Sequence, residues 1–462
     1  MSELIPSTSR REFIKTTGRL AAVSALAGVA VPYVHAAGDE TIQVALVGCG
    51  GRGTGAASQA MGVKRGPVKL VAMADVLQDR LDTSFDTLNK ENPTKMDVPK
   101  ERQFVGFDGY KQAMDCLRPG DVVILTTPLA FRWLHYTYAI EKDLNVFMEK
   151  PLTADGPTSR RMFELNEKAK AKNLKVAVGL MCRHTRPMER LFEKIQNGDL
   201  GDILLMRGYR VGEPIAACFC PVKPANKTEV EYQIRNFHSF IWASGGCYND
   251  FNIHIIDHLC WMKNDWPVRV QTLGGRHYRG ADVDQNFDNY SSEYTFADGT
   301  KMLIEGRCMF GCLPIYASYA HGTKGMAIVS KNGDYGGGAP CTIYKAQDTK
   351  HDNLVWTSPI PAGESNPYIN EWNDFVDAIR DNKPYNEVDR SIKSSVVTSM
   401  GRWAGHTGQE QTYEDMLNDT HEYAPNIDKM TLNGPAPVMP DAQGHYPIPQ
   451  PGIVTKTEYP MS

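Results

Sequence analysis

Beyond residue 40 the chain alternates short apolar runs with longer amphipathic stretches. Runs at 42–47, 68–74, 122–126 and 145–148 read as strands, and a fifth at 175–180 follows a charge-laced helical stretch over 158–172. Strands separated by helices of that length need crossover connections, so residues 38–182 are expected to form a doubly wound parallel sheet. Past Arg183 the pattern changes. The segments ILLMRGYRV, VRVQTLGGRHY, NYSSEYTFADGTKMLIEGRC and GMAIVS read as antiparallel strands, with Asp298-Gly299 as a hairpin turn. Helices expected at about 185–197, 250–263, 368–381 and 388–404 would cover one face of that sheet or pack between domains. The fold class is therefore α/β: a parallel-sheet domain followed by an α+β domain, 183–425, with an open, mainly antiparallel sheet. Prolines crowd residues 426–462, which read as an extended tail on the surface or on a neighbouring subunit.

Composition narrows the function classes. A length of 462 residues suits two domains. A net charge of -4 with 23% charged residues gives no basic field for nucleic acid. The 10 cysteines are scattered without a C-x-x-C pair, so most read as buried thiols. The close pairs Cys218-x-Cys220 and Cys308-xxx-Cys312 read as packing rather than ligands, and no metal is expected.

Residues 1–37 differ from the rest. SRREFIK sets Arg10 and Arg11 ahead of a modest apolar run, 20–31, followed by small residues around Val34, Ala36 and Ala37. This looks like a twin-arginine export signal, with cleavage near Ala36 or Ala37, passage through the twin-arginine translocase and a periplasmic destination. An amphipathic N-terminal helix with incidental arginines is the alternative. The run is too weak for a spanning helix, and no other segment is apolar enough to cross a bilayer.

At the first strand-to-helix junction, Gly48-Cys49-Gly50-Gly51-Arg52-Gly53 fits G-x-G-x-x-G. The first glycine permits a tight turn, the second lets a pyrophosphate approach the backbone, and the third lets helix and strand pack closely. Asp75 ends the next strand, where a carboxylate accepts the adenosine ribose hydroxyls. These features mark a Rossmann domain that holds NAD, and a carboxylate at 75 disfavours the 2'-phosphate of NADP. Arg52 weakens that preference, since it would reach a phosphate from the loop.

Ligands of open parallel sheets sit beyond the carboxyl ends of the strands, which places Thr127-Pro128 and Glu149-Lys150-Pro151 beside the cofactor. A lysine there stabilises the oxygen whose charge changes during hydride transfer, although on spacing alone Lys150 also reads as a solvated strand cap. In GGCYNDFNIHIIDH, the residues Asp250, His254 and Asp257 fall within roughly 60° of arc on a helix. An imidazole suits a general base at neutral pH, and Asp250 one turn away would orient it; a satisfied core histidine is the plainer reading of His254. The segment HIIDH also imitates a zinc-protease pattern, but His258 lies about 80° round from Asp250 and no distant third ligand is evident.

In one order, the glycine loop, Thr127-Pro128, Glu149-Lys150-Pro151, GDLGDI (198–203), Gly245-Gly246 with Asp250-xxx-His254, and HGTKGMAIV (321–329) resemble the Gfo/Idh/MocA family. The likeness runs over 41–405 and looks most like an exported bacterial branch, with RNFHSFIWASGG before the helix and SMGRWAGHTGQ near the end. The resemblance implies that Lys150, Asp250 and His254 are catalytic and that Arg235, His238 and Trp242 shape a sugar site. It also matches Arg183, read as a substrate contact, to an arginine common at the start of the second domain, and makes Pro151 cis; Asp257, from the polar stripe itself, is counted among the substrate contacts. Glycoside hydrolase family 109, the NAD-dependent glycosidases of this superfamily, lacks the Asp-xxx-His pattern in its usual form; this chain keeps it.

The expected activity is NAD-dependent oxidation of a secondary hydroxyl, at C3, of a sugar or glycoside, in a homo-oligomer (dimer or tetramer) that keeps its cofactor bound. A redox-neutral glycosidase with a 3-keto intermediate is the first alternative. A non-catalytic sugar or dinucleotide sensor is the second.

Overall fold

The computed structural model describes residues 40–277, 279–331 and 339–460, all within one unit, Val34–Ser462. The expected export signal, 1–37, lies outside the described residues.

Apolar runs become six strands of one parallel sheet: β1 Ile42–Val47, β2 Val68–Asp75, β3 Gln103–Val105, β4 Val122–Leu125, β5 Asn145–Met148 and β6 Val176–Val178. Their order is β3-β2-β1-β4-β5-β6, and every neighbouring pair is parallel. The order reverses between β1 and β4, which opens a crevice beyond their carboxyl ends. Only β3 escapes the sequence pattern, because three partly exposed residues make no apolar run.

The second sheet has nine strands: β7 Ile203–Gly212, β8 Arg269–Gly275, β9 Asn289–Thr295, β10 Lys301–Cys308, β11 Ile315–Gly322, β12 Gly325–Ser330, β13 Thr342–Tyr344, β14 Leu354–Thr357 and β15 Gln411–Thr412. Pairing is antiparallel except between β7 and β10. The helices Gly246–Lys263 and Val388–Thr407 cover one face, burying Ile255, Leu259, Val396 and Met400 against Met206 and Ile304. At about 1.5–3 kcal/mol for each fully buried side chain, this layer is a main source of stability.

Two features depart from a simple end-to-end division. Helix Pro367–Arg380, read from sequence with the second domain, packs on the parallel sheet, where Trp372, Phe375, Val376 and Ile379 join Ile42, Leu46 and Phe147. Trp372 stacks on Phe147 with ring centroids 4.5 Å apart. The proline-rich stretch is likewise more than a surface tail. It buries Ile427, Val438, Tyr446 and Tyr459, and the Glu458 carboxylate pairs with Arg402 at 2.7 Å, both side chains fully enclosed. Proline composition reports the missing secondary structure but says nothing of such anchors.

Candidate active site

The site grows from the end of β1. Gly48 has φ +100°, and a Cβ there would lie 2.7 Å from the Thr127 backbone nitrogen, so glycine alone lets β1 turn beneath β4. Thr126 Oγ1 locks the turn by donating to the Gly48 carbonyl at 2.6 Å. Helix Gly51–Met61 starts at once and aims its first amides into the crevice, the arrangement that receives phosphate oxygens. Nothing lies within 4 Å of the Cβ positions of Gly50 and Gly51, so a pyrophosphate meets bare backbone. Asp75 closes the far side of the turn, accepting from Cys49 N at 2.7 Å and Leu77 N at 2.9 Å. Burial lifts its carboxyl above the ordinary value, and these two amides oppose the rise. A carboxylate oxygen has two lone pairs, so both oxygens can still accept from ribose hydroxyls.

Across the crevice, the Lys150–Pro151 peptide is cis. The Lys150 ammonium donates to the Asp250 carbonyl at 2.8 Å and to Asp250 Oδ1 at 3.2 Å. The other oxygen, Oδ2, lies 3.2 Å from His238 Nε2. Asp250 reaches this position because its helix is entered through Gly245 and Gly246, both at φ +73°, four residues before the sequence pattern places the start. The Asn286 side chain caps that entry by accepting from Cys247 N at 2.9 Å. Burial alone would raise the Asp250 carboxyl, but Lys150 and His238 outweigh it and hold the group well below the usual carboxylate range. His254, one turn on, is held well below its ordinary value by burial and by the Lys150 ammonium, and so stays neutral. Gly48, Gly50, Gly51, Arg52, Gly53, Asp75, Thr127, Pro128, Glu149, Lys150, Asp250 and His254 all line one cavity of about 770 Å³.

No protein-family model matches the chain. An inositol 2-dehydrogenase of Corynebacterium glutamicum is 32% identical over 88 residues, 19% of this chain and 26% of that protein. Another, from Leifsonia xyli, is 31% identical over 111 residues, 24% of this chain and 31% of that protein. The chain thus spans between a quarter and a third of the length of these curated relatives. Among solved structures, the myo-inositol 2-dehydrogenase of Lactobacillus plantarum superposes with a TM-score of 0.57 at 21% identity, covering 81% of this chain and 99% of its own. A levoglucosan dehydrogenase in complex with NADH and levoglucosan gives 0.61 at 18% identity over 81% and 100% of the two chains. The aldose-aldose oxidoreductase of Caulobacter crescentus gives 0.61 at 13% identity over the same shares. The chain has the Gfo/Idh/MocA fold.

Within that fold, several residues singled out from the sequence lie elsewhere than the cavity wall. Arg183 and Asp257 pair with each other through two hydrogen bonds of 2.9 and 2.8 Å, and Asp257 is fully buried. Trp242 is also buried; its indole donates to Gln233 Oε1 at 2.7 Å, behind the wall residue Phe131. None of the three lines the cavity. Arg52 lines the cavity, pairs with Glu149 at 2.6 Å and stacks over Tyr368 at 5.1 Å. Arg235 lines the cavity but forms a two-point ion pair with Asp79 at 2.9 and 2.8 Å, joining residues 229–238 to the helix that follows Asp75. His258 bonds Ser318 Oγ at 2.7 Å in the core.

Three wall residues carry no sequence signal of their own. Arg132 and His135, on the helix after β4, sit beside Thr127, whose carbonyl accepts from Arg132 at 2.9 Å and whose hydroxyl meets His135 Nδ1 at 3.2 Å. Tyr368 arrives from the far end of the chain. Polar residues at the start of a helix just past a strand end are the one available clue to the first two.

Proposed function

We propose that this chain is an NAD-dependent oxidoreductase that oxidises a secondary hydroxyl, at C3, of a sugar or glycoside while retaining its cofactor. The observation that carries the reading is the single cavity shared by the Gly48 turn, Asp75 and the Lys150–Asp250–His254 group. The turn fits a dinucleotide: bare backbone at Gly50 and Gly51 for phosphates, and Asp75 for ribose. Asp75 also favours NAD over NADP.

A bound nicotinamide would supply the hydride acceptor. The chain's own residues do the rest. His254, neutral at physiological pH, takes the hydroxyl proton. Lys150 donates to the alcohol oxygen as negative charge builds, the kind of contact that strengthens toward the transition state. Asp250 keeps the ammonium aimed through Oδ1, and His238 holds its second oxygen in place. The test is to denature the purified mature protein, identify the released dinucleotide, and screen sugars for keto products by mass spectrometry. A protein that neither carries nor takes up a dinucleotide ends the proposal.

A second reading, redox-neutral glycoside hydrolysis, is favoured by two imidazoles, His238 and His254, in one cavity. Elimination after C3 oxidation needs a further proton acceptor, and His238 is placed to serve. Repeated phenol release from an aryl glycoside without added dinucleotide selects this reading; an intact 3-keto glycoside selects the first. The same proposal includes export by the twin-arginine route to the periplasm, which suits a retained cofactor, and a homo-oligomer.

A further inference from the structure

Three side chains of the helix Val388–Thr407 reach the two segments that carry Lys150 and Asp250. Ser395, Ser399 and Arg402 stand at i, i+4 and i+7, within roughly 60° of arc on one face. Ser395 Oγ accepts from Leu152 N at 3.1 Å, just past Lys150. Ser399 Oγ accepts from Asn249 Nδ2 at 2.8 Å, beside Asp250. Of the three, Arg402 touches both segments. Its Nη1 donates to the Gly245 carbonyl at 3.2 Å, where the helix Gly246–Lys263 begins, and its Nη2 donates to the Ala154 carbonyl at 2.8 Å. A planar guanidinium fixes the directions of its donors relative to one another, so the two carbonyls are held at a set separation.

Such a fork needs a counter-charge, because Arg402 has no exposure to solvent. Glu458 supplies it from the proline-rich stretch: its two oxygens accept from Arg402 Nε at 2.8 Å and Nη2 at 2.7 Å, and its own side chain is fully enclosed. The Tyr423 hydroxyl donates to the same carboxylate. His406 Nδ1 lies 2.8 Å from it, and His406 Nε2 lies 2.8 Å from the Tyr290 hydroxyl. None of these groups lines the cavity, so they act on the site only through what they hold.

We propose that Arg402 and Glu458 are positioning residues for the oxidation: the pair sets the spacing of Lys150 and Asp250, and the segment 426–460 thereby completes the active site. The inference rests on the functional reading given above. Lys150 meets Asp250 through the Asp250 main-chain carbonyl as well as through Oδ1, so a shift of the helix entry breaks that contact whatever rotamer the Asp250 side chain takes. A misplacement of about 1 Å at the reacting groups costs about 10²-fold in rate. Dinucleotide binding is built independently of the pair, since Thr126 holds the Gly48 turn while Cys49 N and Leu77 N hold Asp75. The pair should therefore act on kcat and leave cofactor affinity alone.

Arg402→Met alone strands a buried carboxylate and should lower the yield of folded protein. The paired variant Arg402→Met/Glu458→Gln removes both charges and carries the test in the full chain; should it fail to fold, Glu458→Gln alone, which keeps the shape and an acceptor, is read by the same criteria. Bound dinucleotide, kcat and KM are compared using a sugar that the wild-type protein oxidises, together with hydrogen–deuterium exchange of peptides covering 150–156 and 245–252. Dinucleotide binding and KM should stay within about threefold of wild type, kcat should fall by about tenfold or more, and exchange should quicken in both segments together. A kcat within about threefold of wild type overturns the proposal. So does a fall in kcat matched by loss of dinucleotide or by an equal rise in KM, which marks general damage, and so does exchange that quickens in one segment or neither. A wild-type protein that holds no dinucleotide and oxidises no sugar overturns the functional reading and this role with it, whereas an active wild type with an unchanged variant overturns this role alone.

Discussion

Replacing Lys150 by Met removes the ammonium and keeps most of the apolar stem. Two losses follow from the geometry. The alcohol oxygen loses one positioned donor, which costs about 2.7–4 kcal/mol in the transition state, or about 10²- to 10³-fold in kcat. Asp250, whose side chain is only 11% exposed, loses its hydrogen bonds of 2.8 and 3.2 Å to Lys150 and keeps only the contact of Oδ2 with His238 Nε2. Breaking a buried pair costs about 3–5 kcal/mol, less where the pair borders a cavity, so about 2 kcal/mol of stability is at stake. The sign follows from the direction of the shift: the Asp250 carboxyl is held below its unfolded value, so its contribution is complete above about pH 4 and fades as pH falls further. The variant should therefore melt earlier than wild type at pH 7, with the gap narrowing below about pH 4. The kinetic assay is single-turnover reduction of the bound dinucleotide by a keto-forming sugar, followed by near-ultraviolet absorbance, with KM measured separately. A variant that keeps within about threefold of the wild-type kcat refutes the role given to Lys150.

Asp75→Ala should weaken dinucleotide binding by about tenfold or more in calorimetry, and leaving Cys49 N and Leu77 N without their acceptor should cost about 1–3 kcal/mol of stability. Gly48→Ala forces a side chain into φ +100° and against Thr127 N, so the melting temperature should fall by an amount matching about 2–4 kcal/mol, with binding lost in the surviving fold. His184, between Asp374 at 2.7 Å and Glu387 at 3.1 Å, is raised to about 10 although burial opposes it. That stabilisation is complete below about pH 6.5 and lost as pH rises through about 10, so His184→Gln should be least stable relative to wild type, by about 2–4 kcal/mol, at or below pH 6.5 and approach it near pH 10 in denaturant titrations. Because His254 lies well below its ordinary value, kcat/KM should hold steady down through pH 6; Lys150→Met, which removes a cause of that lowering, should move the acidic limb upward.

Much of the fold was legible because most of its parallel strands are unbroken apolar runs separated by long helices, and a parallel sheet needs both. Strand ends were legible for the same reason: Gly48, Asp75, Thr127 and Lys150 each follow such a run directly, and all four meet in one cavity. Short elements were not. The helices Glu229–Arg235 and Ile241–Ser244, which supply Arg235 and frame His238, are of 7 and 4 residues, too short for a 3.6-residue period to stand out. Nor does local pattern reveal a helix such as Pro367–Arg380 crossing back to the first sheet, since that is set by which apolar face remains uncovered.

The polar stripe on Gly246–Lys263 shows most plainly where spacing stops being informative. Asp250, His254 and Asp257 share an azimuth, but seven residues at about 1.5 Å each carry Asp257 roughly 10 Å along the axis from Asp250. At that depth it meets Arg183 and Ser394 instead of the cavity, and a carboxylate chosen from the sequence for substrate contact becomes part of the scaffold. Asp250 stays at the cavity, yet its two oxygens are divided between Lys150 and His238, so the aspartate read as a support for His254 is chiefly the anchor of the ammonium. The arrangement has a chemical logic. With Lys150 and Asp250 opposed, the group is near neutral before reaction, and a proton arriving on His254 would set a second positive charge beside the ammonium. The developing alkoxide is the negative charge that makes this arrival favourable, so proton uptake is tied to charge formation on the substrate oxygen and does not precede it.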